Sequence, residues 1–157
     1  MWTNKHVVVA MLVAPVLAVL SWMAVDRFVG EQPHEAKAGA AYPLVARSNC
    51  RYASGRCDLH NNDFQLTLER LDGGAMPTLQ LESRHALSAA SLALGKSAAT
   101  LSEPRGLTRT DGEGLSWSLP VAEPVAADGV LRLAVVAGQS TYYAEFSAAF
   151  LAPASDQ

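Results

Sequence analysis

Between Val7 and Val25 the chain reads VVVAMLVAPVLAVLSWMAV, without one ionisable side chain. About 20 apolar residues are what a helix needs to cross the hydrocarbon core of a bilayer. A run with no polar face is ill suited to the half-buried surface helix of a soluble domain. The expectation is one transmembrane helix over residues 7–27. Lys5 and the α-amino group precede the run with no acid, while Asp26 and Arg27 balance each other after it. The positive-inside rule therefore keeps residues 1–6 in the cytoplasm. Trp2 and Trp22 lie near the two ends, where aromatic rings favour the headgroup region, and a membrane helix tolerates Pro15 with a kink. A cleaved signal peptide is the competing reading, because Ala36, Lys37 and Ala38 have the small-x-small form of a cleavage site. That site lies well beyond the apolar run, behind Asp26, Arg27, Glu31 and Glu35, and the run is long for a signal peptide. An uncleaved anchor is expected.

Residues 28–41, FVGEQPHEAKAGAA, read as a linker, and residues 152–157 as a tail. Between them, residues 42–151 form a segment of about 110 residues, large enough for one domain with its own core. The formal net charge is −3 and no Lys/Arg cluster occurs. Nucleic-acid binding, which wants a basic face, is excluded on that ground.

The domain alternates at period two. Phe64, Leu66 and Leu68, then Leu79 and Leu81, then Leu115, Trp117, Leu119 and Val121, then Leu131, Leu133 and Val135, then Tyr142, Ala144, Phe146 and Ala148 each share a face. Asn61-Asn62, Asp72-Gly73-Gly74, Asp111-Gly112, Asp128-Gly129 and Gly138-Gln139-Ser140 punctuate these runs with residues that accept turn geometry. Short strands between regular turns indicate an all-β fold, an immunoglobulin-like β-sandwich of about seven strands. Residues 83–95, SRHALSAASLALG, fit either a short helix or an irregular strand with Leu87, Ala89, Ser91 and Ala93 on one face. Pro120 and Pro124 should mark an edge or the end of a strand, since proline cannot donate to the ladder.

The two cysteines, Cys50 and Cys57, stand in CRYASGRC on the side of the anchor away from the cytoplasm. That side of a bacterial inner membrane, the periplasm, is oxidising, so a disulfide closing a short loop is the first reading. The alternative is a metal site of Cys50, Cys57 and His60, since thiolate and imidazole suit copper or zinc. Six intervening residues are not the C-x-x-C spacing of a redox or zinc pair. DLHNND, residues 58–63, reads as a polar turn: His60 stands where a calcium loop would need an oxygen ligand. No G-x-S-x-G elbow, H-E-x-x-H or phosphate-binding glycine loop occurs, and Ser83, His85 and Asp111 lack the spacing of a triad. No catalytic residue, cofactor or enzyme activity is expected. Edge strands, loop ends and the face near Tyr142 and Tyr143 are the candidate interaction surfaces. Adjacent residues on a strand point to opposite faces, so at most one of these tyrosines is on offer.

SNCRYASGRCDLHNNDFQLTL is the most distinctive stretch of the chain. Taken whole, the order of short N-terminus, anchor, linker and small β domain resembles single-pass, periplasmic-facing membrane proteins of proteobacteria. In layout it is similar to FixH-type accessory proteins, which are associated with copper-oxidase assembly. The resemblance implies a non-enzymatic binding or assembly module of the bacterial inner membrane, acting on a membrane-protein partner such as a respiratory complex. Periplasmic metal (copper) delivery through Cys50 and Cys57 is the alternative, and a domain binding lipid or peptide is the remainder.

Overall fold

The computed structural model describes residues 4–29, 37–122 and 125–153. The chain divides into two units, Met1–His34 and Glu35–Gln157.

The first unit is one helix, α1, over Lys5–Val29. It starts where Asn4 accepts backbone N–H bonds: its side-chain oxygen takes that of His6 at 3.3 Å and its carbonyl that of Val7 at 2.9 Å. A short polar side chain there satisfies donors that the first turn leaves without partners. The helix continues through Pro15. Its 21-residue segment Lys5–Val25 has a mean hydropathy of 2.5 and none of its residues is buried. It is long and apolar enough to cross a membrane. The helix begins two residues before the span expected from the sequence and takes in two residues of the expected linker. Of that linker, residues 30–36, with His34, lie outside the described residues.

Among its described residues the second unit is all β apart from three short 3-10 turns. Its strands are β1 (Ala41–Pro43), β2 (Val45–Ala46), β3 (Arg56–Asn61), β4 (Phe64–Leu71), β5 (Thr78–Ser83), β6 (Ala89–Gly95), β7 (Arg105–Gly106), β8 (Thr108–Arg109), β9 (Ser116–Pro120), β10 (Val130–Ala137) and β11 (Ser140–Ser147). They form a smaller sheet in the order β1-β11-β10-β6-β7 and a larger one in the order β2-β3-β4-β5-β9-β8. Period-two alternation gives each sheet one apolar face, and the two apolar faces meet in a single core. Leu131, Leu133 and Val135 of β10 face Leu66, Leu68, Leu79 and Leu81 of β4 and β5, all at 1 % exposure or less. Burying such a side chain contributes roughly 1.5–3 kcal/mol. Every member of this core lies between Tyr42 and Leu151, so the sandwich carries its own hydrophobic interior.

The two long sides of the sandwich are each closed by a strand that changes sheets. The first runs parallel to β11 as β1, turns inward at Leu44 and joins the larger sheet as β2. The second leaves β6 as β7, turns inward at Leu107 and joins β9 as β8. Leu44 and Leu107, at the crossings, are each 7 % exposed. The architecture is thus a two-sheet sandwich, with a strand order of its own. In the immunoglobulin order the sheets take strands 1-2-5-4 and 7-6-3. Here the seven longer strands fall as 1-2-3-5 and 7-6-4.

Three local expectations are corrected. DLHNND is mostly strand: Asn61 pairs with Phe64, and only Asn62-Asp63 turns, with Asn62 in the left-handed region at φ 50°. Residues 83–95 contain no helix; β6 is a regular strand paired with β10. Its inward face is Ala90 and Leu92 rather than Ala89, Ser91 and Ala93. Pro120 does end β9, at the edge of the ladder, whereas Pro124 lies outside the described residues.

Candidate functional site

Cys50 sits on the 3-10 turn Ser48–Arg51 and Cys57 on β3. Their sulfurs are 2.03 Å apart, a disulfide distance, across Cα atoms 4.4 Å apart. Both residues are buried, at 1 % and 0 % exposure. The turn is also fastened by polar contacts. Asn49 donates through Nδ2 to Asp58 Oδ2 at 2.8 Å, and its Oδ1 accepts the Asp58 backbone N–H at 3.3 Å. Thr67 Oγ1 and Arg56 Nε donate to the other carboxylate oxygen at 2.8 and 3.3 Å. Burial works against the charge of Asp58, but the bonds from Thr67 and Asn49 and the Arg56 guanidinium outweigh it and hold its carboxyl below the usual carboxylate range.

His60 is not brought to the cysteines. Three residues along β3 from Cys57, it points to the opposite face of the sheet, beside Gln65 of β4. Its Nδ1 is buried without a hydrogen-bond partner. Among the described residues no three His, Cys, Asp or Glu side chains gather as a metal site. His85 is exposed and stacks on Phe64 at 5.4 Å. Phe64 in turn stacks on Tyr142 at 3.8 Å. That contact across the sheets explains why Tyr142 is the buried member of its pair, and burial, followed by the neighbouring Tyr42, pushes its phenol above the ordinary value.

The outer faces of the two sheets differ in chemistry. On the larger sheet the outward positions are polar apart from Val45 on the edge strand β2 and Leu71 at the end of β4, and an open recess of about 560 Å³ is lined by Arg47, Arg56, Asp58, His60, Glu82 and Arg84 among others. Charges of both signs are interspersed there, as on a solvated surface. On the smaller sheet the outward positions of β6 and β10 are short apart from Arg132. Ala134 of β10 stands between Tyr143 and Ser91, and Val136 between Thr141 and Ala89. Tyr143 is 46 % exposed. Among the described residues the one ion pair on this face is Arg132–Glu145, at 2.6 Å. The result is a face of short side chains, Ala89, Ser91, Ala134, Val136 and Thr141, with the ring of Tyr143 beside Ala134.

A third feature is a groove along the seam closed by β7 and β8. Past the crossing at Leu107 the two sheets are no longer joined, and an apolar cleft of about 370 Å³ opens between β6 and the end of β9. Leu92, Leu94, Leu119, Val121 and Val125 line it, with Lys96 and Arg105 at its mouth. These residues come from separate segments, so no local motif marks the groove in the sequence. On the other side of Val121 and Val125 lies a smaller apolar recess of about 230 Å³ that reaches Leu79, Leu151 and Pro153.

No protein-family model, curated protein or solved structure matches this chain.

Proposed function

We propose that this chain is a non-enzymatic binding or assembly module, anchored by α1 in a bacterial inner membrane with its sandwich in the periplasm. It docks on a membrane-protein partner through the outer face of the smaller sheet. The observation that carries this reading is the contrast between the two outer faces. An antiparallel sandwich in water ordinarily presents polar outer faces, as the larger sheet does. The smaller sheet departs from this around Tyr143, where Ala89, Ala134 and Val136 stand on the outer face, and apolar side chains left on a sheet surface point to an interaction site. The short side chains of Ala89, Ala134 and Val136 admit close approach of a flat partner, and Tyr143 supplies a large contact at little entropic cost. The face is electrically neutral through its Arg132–Glu145 pair, which suits an equally uncharged partner surface.

Periplasmic placement rests on the charge asymmetry around the anchor and on the cysteine pair, which forms a disulfide in an oxidising compartment. A respiratory complex as partner rests on the layout shared with FixH-type proteins. Metal delivery through Cys50 and Cys57 fits less well, because the sulfurs are buried, lie at bonding distance from each other and are turned away from His60.

The test is purification of the full-length chain from its native membrane in mild detergent, followed by mass spectrometry. A stoichiometric membrane protein should accompany the native chain and be lost with Ala134→Arg. It should be kept with Gln80→Arg, which alters the polar face of the other sheet. A chain that emerges alone, or a partner equally retained by both variants, contradicts the proposal.

A further inference from the structure

We propose that the seam groove between β6 and β9 is a binding site for a single-chain fatty carboxylate. The site follows from the way the sandwich is closed. The strand formed by β7 and β8 leaves part of this side open, and there the partly buried Leu94, Val121 and Val125 pack against the core. Leu92 and Leu119 belong to the hydrophobic core, at 2 % and 6 % exposure, yet both line the groove. Its volume of about 370 Å³ lies at the small end of the range for ligand pockets. A cleft of that size suits one alkyl chain.

The mouth supplies the complementary charge. Arg105 pairs in register with Leu92, which turns its stem toward the interior of the seam and brings its guanidinium to the opening. It donates to the Pro120 carbonyl at 3.4 Å, leaving further donors of its five for a ligand. Lys96 follows directly on β6 and lines the same cavity. Among the described residues no carboxylate lines the groove and neither cation is ion-paired. Apolar walls below two cations are complementary to an alkyl chain ending in an anion, and a guanidinium receives a carboxylate through two parallel bonds. Gly95 fixes where β6 stops and the mouth begins: a Cβ there would meet the Thr100 carbonyl oxygen at 2.4 Å, so the chain turns closely at that point and carries Lys96 to the rim.

The experiment uses the full-length chain in phosphatidylcholine nanodiscs, labelled with a photoactivatable palmitate analogue and mapped by peptide mass spectrometry. Labelling is expected on the peptides carrying Leu92–Lys96 and Leu119–Val125. Unlabelled palmitate should compete at least tenfold more strongly than hexadecanol, because only the carboxylate engages Lys96 and Arg105. The double variant Lys96→Glu/Arg105→Glu, at exposed positions, should lower labelling of these peptides at least tenfold while labelling of α1 is unchanged. Absence of label from the groove peptides overturns the site. Equal competition by acid and alcohol on the native chain overturns the assignment of a carboxylate, and does so without relying on any variant to fold.

Discussion

Asp58 is the residue on which the disulfide corner turns. It ties Asn49 of the 3-10 turn, Arg56 of its own strand and Thr67 of β4 to one carboxylate. Hydrogen bonds to a charged group contribute about 1.5–3 kcal/mol each when made well, so Asp58→Asn should cost about 1–2 kcal/mol in chemical denaturation. Because its folded pKa lies below the value of 3.8 in the unfolded chain, its stabilisation is fully present above about pH 4. It is lost as the pH falls through the lower, folded value. The native chain should therefore show an acid limb in stability below pH 4, reduced in Asp58→Asn; an unchanged limb would show that other carboxylates cause it. The bond between Cys50 and Cys57 adds a constraint on the unfolded state. Closing so short a loop is worth about 2.5 kcal/mol by chain entropy, and the paired substitution Cys50→Ala/Cys57→Ala should lose roughly that amount at any pH. Retained stability in that variant would mean that the corner is held by Asn49 and Asp58 alone.

At the scale of elements, the loop Asp111–Leu115 joins β8 to β9 and ties both Leu87 and the Trp117 side chain to itself. The Asp111 carboxylate accepts the backbone N–H groups of Gly114 and Leu115 at 2.9 and 3.0 Å. The Gly114 carbonyl accepts both the Leu87 backbone N–H, at 2.9 Å, and the Trp117 indole N–H, at 3.0 Å. Gly114 sits at φ 78°, and a Cβ would meet the Leu87 carbonyl oxygen at 2.5 Å. Gly114→Ala should therefore destabilise by about 2–3 kcal/mol, with a change in Trp117 fluorescence as its ring loses its anchor; a loss below 0.5 kcal/mol would contradict this account of the loop. Much of the element structure was legible in the sequence, because the strands with clean alternation, such as GVLRLAVVAG and STYYAEFSAAFL, have one wet face and one dry one. β3 was not, because only Cys57 and Leu59 among its residues are apolar and its outward positions are filled by the charges that fasten the corner. β6 resisted for the opposite reason. Both its faces carry small or apolar residues, so period two marks no inside, and its register is set by pairing with β10. That bareness, which blurs the pattern, is also what makes the outer face of the smaller sheet unusual.

At the scale of the molecule, an apolar helix long enough to cross a membrane precedes a sandwich that carries its own core. The helix was plain from composition alone. The sandwich was plain as a class, while its strand order and its two sheet-changing strands depend on long-range pairing that no local pattern encodes. The candidate surfaces were the least legible part. Tyr143 was marked by adjacency to Tyr142, but the face around it and the groove at Lys96 and Arg105 are assembled from distant segments. The central claim is that the smaller sheet presents the docking face, and photo-crosslinking in the native membrane tests it most directly. A photoreactive amino acid placed at Ala134 is predicted to capture one membrane protein in high yield, while the same probe at Ser118, outward on β9 of the larger sheet, captures none. Capture from Ser118 in place of Ala134, or from neither, would contradict the account.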